Sequence, residues 1–513
     1  MPFFVFWSKI GGMGEGKEKF NLPQIEVKIL EFWERNKIFE RALEKTKEDK
    51  RFIFYEGPPT ANGLPHIGHA LVRAFKDIIL RYKTMRGFFV SRRAGWDTHG
   101  LPVEIEVEKT LGLKTKQDIE KYSIARFNQK ARESVWKYKD EWERMTKRFG
   151  FWIDMSRPYV TYETTYIETL WWIIKSVWDK KLLYQDFKVV PWCPRCQTGL
   201  STHELGQPGA YKKVKENSIF VKLKIKNSRS DFLLIWTTTP WTLPANVAVA
   251  LDPKIEYTKY KVKNGENYEF VWSAQTPPYE GSIEVVEKTV GRSLLGLIYE
   301  PLFKVPKEYS LGGNPEFVII PGDFVSTEEG TGMVHIAPAF GDEDMGAVKS
   351  QIPNSKSQTN SKSQIQNSKT PITYPIFCTV NLDGTMKKGI VGAGKFVKNA
   401  DQDIIADLKK RGLLYKIVPY EHDYPHCWRC STPLLYFAKN SWWIKMGLLK
   451  EELLKNNESI NWIPAHIKNG RFGEFLREVR DWAFSRERYW GTPLPVWKCD
   501  KCGHLEVIGV LEF

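Results

Sequence analysis

The sequence predicts an α/β core that is split by an inserted β-rich domain, and three observations lead to this fold class. Near the start, a short apolar run of strand formers at residues 52–55 is followed by a Gly/Pro turn and then by apolar residues at helical spacing. From about residue 189, short alternating segments separated by turns replace that pattern. After residue 430, aromatic residues and helical spacing return. We therefore expect the core in residues 20–190 and 431–513, with residues 191–430 inserted into it.

Length and composition place limits on the class of protein. A chain of 513 residues with 42% hydrophobic content supports roughly two to four domains with large cores. The net charge of +15 and the pI near 9.2 suit a polyanionic partner, although a basic surface that only keeps the chain in solution fits equally well. No apolar run reaches the length of a membrane span, so we expect a cytoplasmic protein that does not enter a membrane.

The segments around the first strand are mostly helical in pattern. Residues 1–19 form an extension of unclear role, because they show no regular pattern and Met13 is an alternative start. Apolar residues from Ile25 to Phe39 predict an amphipathic helix that leads into the strand. Charged residues at helical spacing fill residues 101–150, and the aromatic run at residues 166–178 predicts one more helix before the inserted domain.

The strand, turn and helix at residues 52–85 form the first βα unit of a nucleotide-binding sheet. Gly87 follows the helix where a C-terminal cap belongs. In such a unit the ligand lies at the carboxyl end of the strand, against the N-terminus of the helix. The helix is marked by its apolar residues, namely Leu71, Phe75, Ile78, Ile79, Tyr82 and Met85.

His66 and His69 flank the N-terminus of this helix, and Gly68 between them leaves room for a nucleotide. Two imidazoles three residues apart on a first turn point the same way, and the helix dipole adds partial positive charge. The pattern indicates an anion site suited to a phosphate that gains charge in a transition state. For an isolated His-x-x-His, a polar first turn with solvated histidines is the better explanation.

The surrounding residues make the pattern more specific. Gly-Pro-Pro-Thr-Ala-Asn-Gly precedes His-Ile-Gly-His, and the whole run resembles the signature of class I aminoacyl-tRNA synthetases. Residues 95–104, Gly-Trp-Asp-Thr-His-Gly-Leu-Pro-Val-Glu, resemble the isoleucyl branch of that family rather than the valyl or leucyl branch. The resemblance extends from about Phe20 to the last residues, apart from one insert.

The resemblance implies a class I, Rossmann-like nucleotide-binding core split by an editing domain. It also implies isoleucine–tRNA ligase chemistry, in which ATP with Mg²⁺ activates isoleucine and the aminoacyl group then passes to tRNA. His66 and His69 would stabilise the phosphate in the transition state, and we expect a monomer. A valyl-type synthetase is the alternative within the family, and Trp-Asp-Thr-His at residues 96–99 disfavours it.

Asp97 follows the presumed second strand, beside the nucleotide site. On residue chemistry alone, an Asx turn or a cap is the better explanation for an aspartate in this glycine-rich context. The resemblance places Asp97 at the position that binds the α-ammonium of the amino acid. It places Gly57 and Pro58 in the pocket for the amino-acid side chain.

Two CxxC pairs stand at the two ends of the inserted domain, and a third lies near the end of the sequence. Four thiolates at such spacing indicate a structural Zn²⁺ site, with a redox-active pair as the alternative. Related synthetases bind zinc at this position, so the resemblance favours the metal. The candidate zinc ligands are Cys193, Cys196, Cys427 and Cys430 for the first site, and Cys499 and Cys502 for half of a second.

Two stretches of the inserted domain carry hydroxyls, an imidazole and a carboxylate. Such groups can grip an aminoacyl ester and position water against it, although threonines on strands are usually only strand formers. Both stretches resemble the editing domain of the isoleucyl, valyl and leucyl enzymes, in which Asp344 would meet the ammonium of the mischarged amino acid. The resemblance implies an editing pocket formed by Thr237, Thr238, Thr239, Thr242, Asn246, His335 and Asp344.

Residues 350–370 interrupt the inserted domain with repeats of Asn-Ser-Lys. Such a tract has almost nothing to bury, so we expect a disordered insertion loop rather than an RNA-binding segment. The arginines of residues 480–488 suit either the acceptor end of tRNA or a structural ion-pair network.

The second signature of the family, a Lys-Met-Ser-Lys-Ser loop that holds the ATP phosphates, does not occur in these 513 residues. Nor does the helical anticodon-binding domain that the resemblance implies. We therefore expect an N-terminal fragment of a longer enzyme. A stand-alone editing or RNA-binding protein is the alternative from a different class, and the missing loop is the feature that favours it.

Overall fold

The computed structural model describes residues 20–60, 63–279, 281–351 and 374–511. The expectations for residues 1–19, and those for most of the 350–370 segment, lie outside these described residues. The described chain forms two compact units. The first unit comprises residues 20–113, 122–167 and 490–492, and the second comprises residues 114–121, 168–489 and 493–511.

The helical segments follow the apolar spacing of the sequence. In chain order the α-helices are α1 (Leu22–Arg35), α2 (Ile38–Lys45), α3 (Ile67–Met85), α4 (Leu101–Leu111), α5 (Lys116–Tyr122), α6 (Ile124–Ser134), α7 (Lys139–Arg148), α8 (Thr164–Asp179), α9 (Thr202–Leu205), α10 (Asp342–Ser350), α11 (Val397–Lys410), α12 (Lys450–Glu458) and α13 (Arg471–Arg477). The single helix predicted from Ile25 to Phe39 is two helices, because Lys37 takes a left-handed φ of 48° between α1 and α2. Among the described residues, no helix combines the length and the apolarity that crossing a membrane requires.

Strands are concentrated in the second unit. In chain order they are β1 (Arg93–Trp96), β2 (Asp154–Val160), β3 (Leu183–Cys193), β4 (Thr198–Gly199), β5 (Tyr211–Lys224), β6 (Asp231–Thr237), β7 (Ala248–Leu251), β8 (Glu256–Asn264), β9 (Asn267–Ser273), β10 (Ile283–Val290), β11 (Ser310–Leu311), β12 (Val318–Pro321), β13 (Val334–Ile336), β14 (Ile376–Phe377), β15 (Leu414–Pro425), β16 (Leu435–Ile444), β17 (Trp482–Ala483), β18 (Val496–Lys498) and β19 (Leu505–Val507).

In the first unit, β1 and β2 pair in parallel, and the strand predicted at residues 52–55 is absent. At its start the segment has one isolated bridge, Arg51 to Phe89, in which the Phe52 N–H donates to Phe89 O at 2.9 Å. Ile53 and Tyr55 are 72% and 88% exposed. The segment keeps the alternation of a strand, but the described residues supply no neighbouring strand to complete its hydrogen bonds.

Helix α3 begins after its N-cap, His66, and ends just before Gly87, whose φ of +80° suits a glycine. The residues that α3 buries are Ala70, Arg73 and Leu80. Its main row of large apolar residues lies on the exposed side. We call this row the α3 stripe; each member is at least 53% exposed, and the members are Ile67, Leu71, Phe75, Ile78, Tyr82 and Met85.

The second unit is organised around three sheets. The largest has six strands in the order β10-β8-β9-β6-β5-β15, in which only β6 and β9 pair in parallel. Two further sheets have the orders β12-β7-β13 and β17-β16-β3-β4. Fully buried residues of β5, β6 and β7, including Ile219, Leu233 and Val249, belong to one continuous apolar core. This core supports the loops that carry the threonine-rich stretch.

Candidate functional site

The two histidines are built into the N-terminal cap of α3. His66 Nδ1 accepts a hydrogen bond from the Gly68 N–H at 3.1 Å. His69 Nδ1 in turn accepts from the His66 N–H at 3.1 Å, and the two ring centroids lie 3.8 Å apart. Since both Nδ1 atoms act as acceptors, each ring in its neutral form carries its proton on Nε2. The cap therefore fixes two Nε2–H donors side by side at a helix N-terminus.

The environment of His69 keeps its imidazole neutral. The ring packs edge-on against Trp142, with centroids 4.6 Å apart. Burial, followed by the charges of His66 and Arg73, lowers the pKa of His69. Gly68 keeps the cap compact, because a Cβ there would lie 3.0 Å from the His66 ring. His69 is therefore an uncharged Nε2–H donor at neutral pH.

Asp97 directly follows β1 and lies against the turn that precedes the histidines. Its N–H donates to Pro59 O at 3.0 Å, and the Thr60 hydroxyl donates to its carboxylate at 3.4 Å. Burial raises the pKa of Asp97, against the hydrogen bonds from Thr60 and from the His99 N–H. A half-buried carboxylate of this kind gains from a cationic partner such as an α-ammonium group.

The backbone just before Gly57 and Pro58 is held by Tyr159. The Tyr159 hydroxyl donates to Glu56 O at 2.7 Å. Its ring occupies the space beside Gly95, where a Cβ would lie 2.2 Å from it. Gly57 is exposed with no atom within 4 Å of a built Cβ, and Pro58 is half-buried. Gly57 therefore faces open space beside a fixed backbone.

Sequence reasoning assigns no role to Trp490, which packs in the first unit against the turn that follows Asp97. Trp490 Nε1 donates to Thr98 O at 2.6 Å across 392 positions of sequence. Its N–H donates to the Glu104 carboxylate, and its ring lies edge-on to His99 at 5.2 Å. Trp490 thus fixes the turn that follows Asp97. The only sequence signal is an aromatic pair before a glycine, which does not reveal a partner so distant in sequence.

The four cysteines of the first two CxxC pairs meet in the second unit. All four sulfurs lie within 4.8 Å of one another, with Cys430 Sγ 3.5 Å from Cys193 Sγ and 3.6 Å from Cys196 Sγ; Cys427 is the fourth. A tetrahedral zinc with Zn–S bonds of about 2.3 Å separates its sulfurs by about 3.8 Å. The donor set therefore fits Zn²⁺.

Each of these two CxxC pairs lies in a backbone turn, and the two turns are of the same type. The Gln197 N–H donates to Cys193 O at 2.8 Å, and the Ser431 N–H donates to Cys427 O at 2.7 Å. Gln197 and Ser431 have φ values of +48° and +58°. Two equivalent turns thus present two thiols each toward one point.

The third CxxC pair has the same kind of turn, but the described residues bring no second pair of metal-ligating side chains beside it. The Gly503 N–H donates to Cys499 O at 2.8 Å, and Gly503 has a φ of +73°. Cys499 and Cys502 are exposed and belong to no cluster of metal-ligating groups among the described residues. They therefore offer two thiols, compared with the four of the first cluster.

The threonine-rich stretch connects β6 to β7. Thr237 ends β6, and Thr239 precedes a short 3-10 helix at Pro240–Ala245. The hydroxyls form a chain, with Thr239 Oγ1 3.3 Å from both Thr237 Oγ1 and Thr242 Oγ1. Thr242 Oγ1 lies 3.0 Å from Nε2 of His335, which belongs to β13. The fold therefore brings the two stretches singled out in the sequence into contact.

His335 and Asp344 bring an uncharged imidazole and a carboxylate to this region. Burial lowers the pKa of His335 to about 4, and its Nδ1 has no hydrogen-bond partner among the described residues. Asp344, in the first turn of α10, accepts the Ala337 N–H at 2.9 Å. Burial of the carboxyl, with a smaller contribution from Glu343, raises its pKa to about 6. At pH 7–8 the imidazole is therefore neutral and the carboxylate mostly ionised.

Asn246 differs from the other residues predicted for this pocket. It is buried, its Nδ2 donates to Ala248 O at 2.8 Å, and its Oδ1 accepts from the Tyr299 hydroxyl at 2.7 Å. Both polar groups are thus engaged inside the core, where they brace the start of β7. Thr238, between Thr237 and Thr239, is half-buried.

With this geometry established, the comparison with known families is decisive. The model of the class I tRNA synthetases (I, L, M and V) matches residues 28–512. The chain belongs to this family. Membership confirms the predicted fold class, a class I α/β core with a β-rich insertion.

Relatives narrow the branch of the family. The isoleucine–tRNA ligase of Thermus thermophilus is 47% identical over 498 residues, which are 96% of this chain and 45% of that protein. The isoleucine–tRNA ligase of Clostridium novyi is 44% identical over 493 residues, again 96% of this chain and 45% of that protein. The valyl alternative is therefore not favoured, and the chain spans about half the length of the curated relatives it matches.

A solved structure shares the general chain path only weakly. The ternary complex of the Agrobacterium radiobacter LeuRS with tRNA and LeuAMS aligns with a TM-score of 0.35 at 16% identity, covering 94% of this chain and 52% of that chain. A likeness this slight carries no argument about the site.

Proposed function

We propose that this chain carries the amino-acid activation and editing parts of an isoleucine–tRNA ligase. The observation that carries the proposal is the alignment of 96% of the chain, at 47% identity, with a protein of that name. The geometry supports it with two kinds of site. The first unit has paired Nε2–H donors and a half-buried carboxylate, and the second has a hydroxyl–imidazole pair with its own carboxylate.

Activation in the first unit uses isoleucine and ATP with Mg²⁺ as substrates. The isoleucine carboxylate attacks the α-phosphorus, the bond to the β-phosphate oxygen breaks, and Mg²⁺-pyrophosphate leaves. His66 and His69 donate from Nε2 to phosphate oxygens as they gain charge. Asp97 pairs with the α-ammonium, and Gly57 and Pro58 border the side chain. The aminoacyl group then passes to a terminal hydroxyl of tRNA as AMP leaves, so positioning matters more than proton transfer.

Editing in the second unit removes a smaller amino acid. Valine lacks one methylene of isoleucine, the standard example of a difference that a binding pocket discriminates by only about 1–3 kcal/mol. In the proposed pocket, water attacks the ester carbonyl, and the tRNA hydroxyl leaves with a proton. Thr242 and His335 orient the water, and Asp344 pairs with the ammonium of valine. Thr237, Thr238 and Thr239 line the same pocket, while Asn246 supports it from the core.

The cysteine cluster has a structural role in this proposal. Cys193, Cys196, Cys427 and Cys430 would hold a Zn²⁺ ion. Zinc with four protein thiolates keeps no open position for a substrate, so when bound it supplies rigidity rather than chemistry.

Deacylation of mischarged tRNA tests the editing part with the chain as it is. We expect the 513-residue protein to hydrolyse valyl-tRNA of the isoleucine type and to spare isoleucyl-tRNA. His335→Ala and Thr242→Val should abolish that hydrolysis. A version lacking residues 354–369 controls for the repeat tract, which lies ten positions beyond Asp344. The editing assignment fails if neither version hydrolyses valyl-tRNA at low salt and high protein concentration.

Pyrophosphate exchange tests the activation part. The chain alone should show almost no isoleucine-dependent exchange, because it has no lysine loop for the ATP phosphates. Joining it to the remaining segment of the Thermus relative should restore exchange. Hydrolysis of valyl-tRNA without restored exchange would refute the activation part of the proposal and leave only the editing part.

A further inference from the structure

The threonine-rich stretch is tethered to a distant aspartate that the sequence patterns do not mark. The Trp241 N–H, at the start of the 3-10 helix, donates to Asp401 Oδ1 at 2.8 Å across 160 positions of sequence. Asp401 lies on α11, which packs against this 3-10 helix. The next residue, Thr242, is the one whose hydroxyl contacts His335. The tether therefore acts one residue away from the hydroxyl–imidazole pair.

Trp241 also reaches the other half of the pocket. Its indole is buried and packs edge-on against Phe340, with ring centroids 5.0 Å apart. Phe340 lies in the short loop between His335 and Asp344. A shift of Trp241 would therefore move both stretches that form the pocket, because its backbone adjoins Thr242 and its ring contacts the loop before Asp344.

The groups that face Asp401 come from three elements. Lys398 is on α11. Its Nζ lies 2.6 Å from the Glu216 carboxylate of β5 and 4.1 Å from the ring centre of Tyr424 on β15. His422 of β15 approaches Glu216 at 3.4 Å. Burial, together with the negative charge of Glu216, raises the pKa of Asp401 to about 7, while Lys398 and the Trp241 N–H oppose this rise. Asp401 therefore changes charge near neutral pH.

We propose that Asp401 is a positioning residue of the editing pocket, whose ionised carboxylate holds the Trp241 N–H and so keeps Thr242 opposite His335. This inference rests on the proposed editing function and adds to it a residue that contacts no substrate. A charged acceptor holds an N–H roughly twice as strongly as a neutral one. The tether consequently weakens as pH falls through about 7.

Amide hydrogen exchange tests the tether without any catalytic readout. In the peptide spanning residues 239–243, Pro240 has no amide, so few protons contribute. After correction for intrinsic rates, the Trp241 amide should lose protection as the pH falls from 8 to 6. Asp401→Asn should reduce protection at pH 8 about tenfold and remove the pH dependence. The matched control is Asp403→Asn on the same helix, whose carboxylate pairs with Lys395 at 2.7 Å near the surface.

Hydrolysis of valyl-tRNA tests whether positioning matters for the reaction. Asp401→Asn should lower kcat about tenfold with KM nearly unchanged, and the part of the pH profile near 7 should disappear. Asp403→Asn should behave as the parent protein does.

Two results would overturn the inference. One is equal protection of the Trp241 amide in the parent and in Asp401→Asn. The other is an unchanged rate and pH profile in Asp401→Asn, even if its unfolding temperature falls, because that would make the tether structural only. If no version of the chain hydrolyses valyl-tRNA, the proposed function fails, and the exchange experiment still decides whether the tether exists.

Discussion

Burial makes the contributions of Asp344 and His335 to folding stability change with pH in opposite directions. The pKa of Asp344 is raised to about 6 from its ordinary 3.8, so its contribution to stability is fully present below pH 3.8 and is lost as pH rises through 6. The pKa of His335 is lowered to about 4 from 6.5, so its contribution is present above pH 6.5 and is lost as pH falls through 4. At pH 8 the buried, ionised carboxylate of Asp344 therefore lowers the free energy of unfolding, which a neutral side chain at this position would not do.

Asp344→Asn should accordingly separate stability from function. Removing the buried charge should raise the free energy of unfolding at pH 8 by about 1–3 kcal/mol, and the gain should vanish at pH 4. The same variant should lose the ammonium partner and hydrolyse valyl-tRNA poorly. Denaturant unfolding at both pH values measures the first effect, with Asp342→Asn, an exposed carboxylate in the same helical turn, as control. A variant that is less stable than the parent at pH 8 would contradict the argument.

The histidine cap allows a similar separation at the activation site. His66→Asn retains a side-chain acceptor for the Gly68 N–H but has no Nε2–H, whereas His66→Ala loses both. We expect His66→Ala to cost about 0.5–2 kcal/mol of stability and His66→Asn to cost little. Both should slow activation by orders of magnitude in the chain joined to the lysine-loop segment, with the affinity for isoleucine nearly unchanged. Thermal unfolding and pyrophosphate exchange provide the two measurements, and substantial exchange in His66→Asn would refute the donor role.

How well the role of a single residue can be predicted from the sequence depends on how far away in the chain its contacts lie. The spacing of His66 and His69 predicts neighbouring rings, because a helix turn determines their relation. Thr242 and His335 were selected by chemistry and resemblance, and their contact at 3.0 Å depends on strands far apart in sequence. The sequence predicts no role for Trp490 or Asp401, because both act through hydrogen bonds to residues far away in the chain, and such bonds leave no periodic pattern.

At the scale of elements, α3 shows what periodicity determines and what it does not. The apolar spacing predicts the helix, but it does not state which neighbour covers the apolar side. The described residues bury Arg73 and leave the α3 stripe exposed. The missing strand at residues 52–55 has the same cause, since a strand requires a partner that alternation cannot name.

An exposed row of this length should make the chain self-associate, against the expectation of a monomer. Contiguous apolar surface of this kind favours association in water. We expect the purified chain to elute as a mixture of oligomers and to bind a hydrophobic dye. Phe75→Glu with Ile78→Lys should shift it toward monomer and reduce dye binding. Val286→Lys, on the exposed edge strand β10, is the matched control and should change neither. A monomeric parent that binds no dye would refute this prediction.

At the scale of the whole molecule, the cysteine cluster closes a long segment of chain. Cys193 and Cys430 lie 237 positions apart, and closing a loop of that length restricts the unfolded chain strongly. We expect one tightly bound zinc per chain and a lower unfolding temperature after chelation. Cys427→Ser should lose the tight zinc, whereas Cys499→Ser should keep it and lose only weak binding. Metal analysis of the two variants decides, and undiminished tight zinc in Cys427→Ser would show the assignment to be wrong.

The sequence reveals the cysteine pairs and the change from helical to strand-like spacing near residue 189, because both are local patterns. The way the chain is shared between compact units was not visible in the same way. The first unit takes only residues 490–492 from the later part of the chain. Residues 480–495 resemble the part of the family in which the chain returns to the catalytic core, but no period or composition marks residues 490–492 within it, so their assignment depends on packing.

Trp490 also sets an order of events during synthesis. The turn after Asp97 waits for a residue that is made 392 positions after Thr98. At roughly 5–20 residues per second, a ribosome needs roughly 20–80 s to cover that interval. The whole segment between the first two CxxC pairs emerges during this delay and has time to fold. A nascent chain paused just before Trp490 therefore carries a complete inserted segment, while the turn after Asp97 still lacks the indole that fixes it.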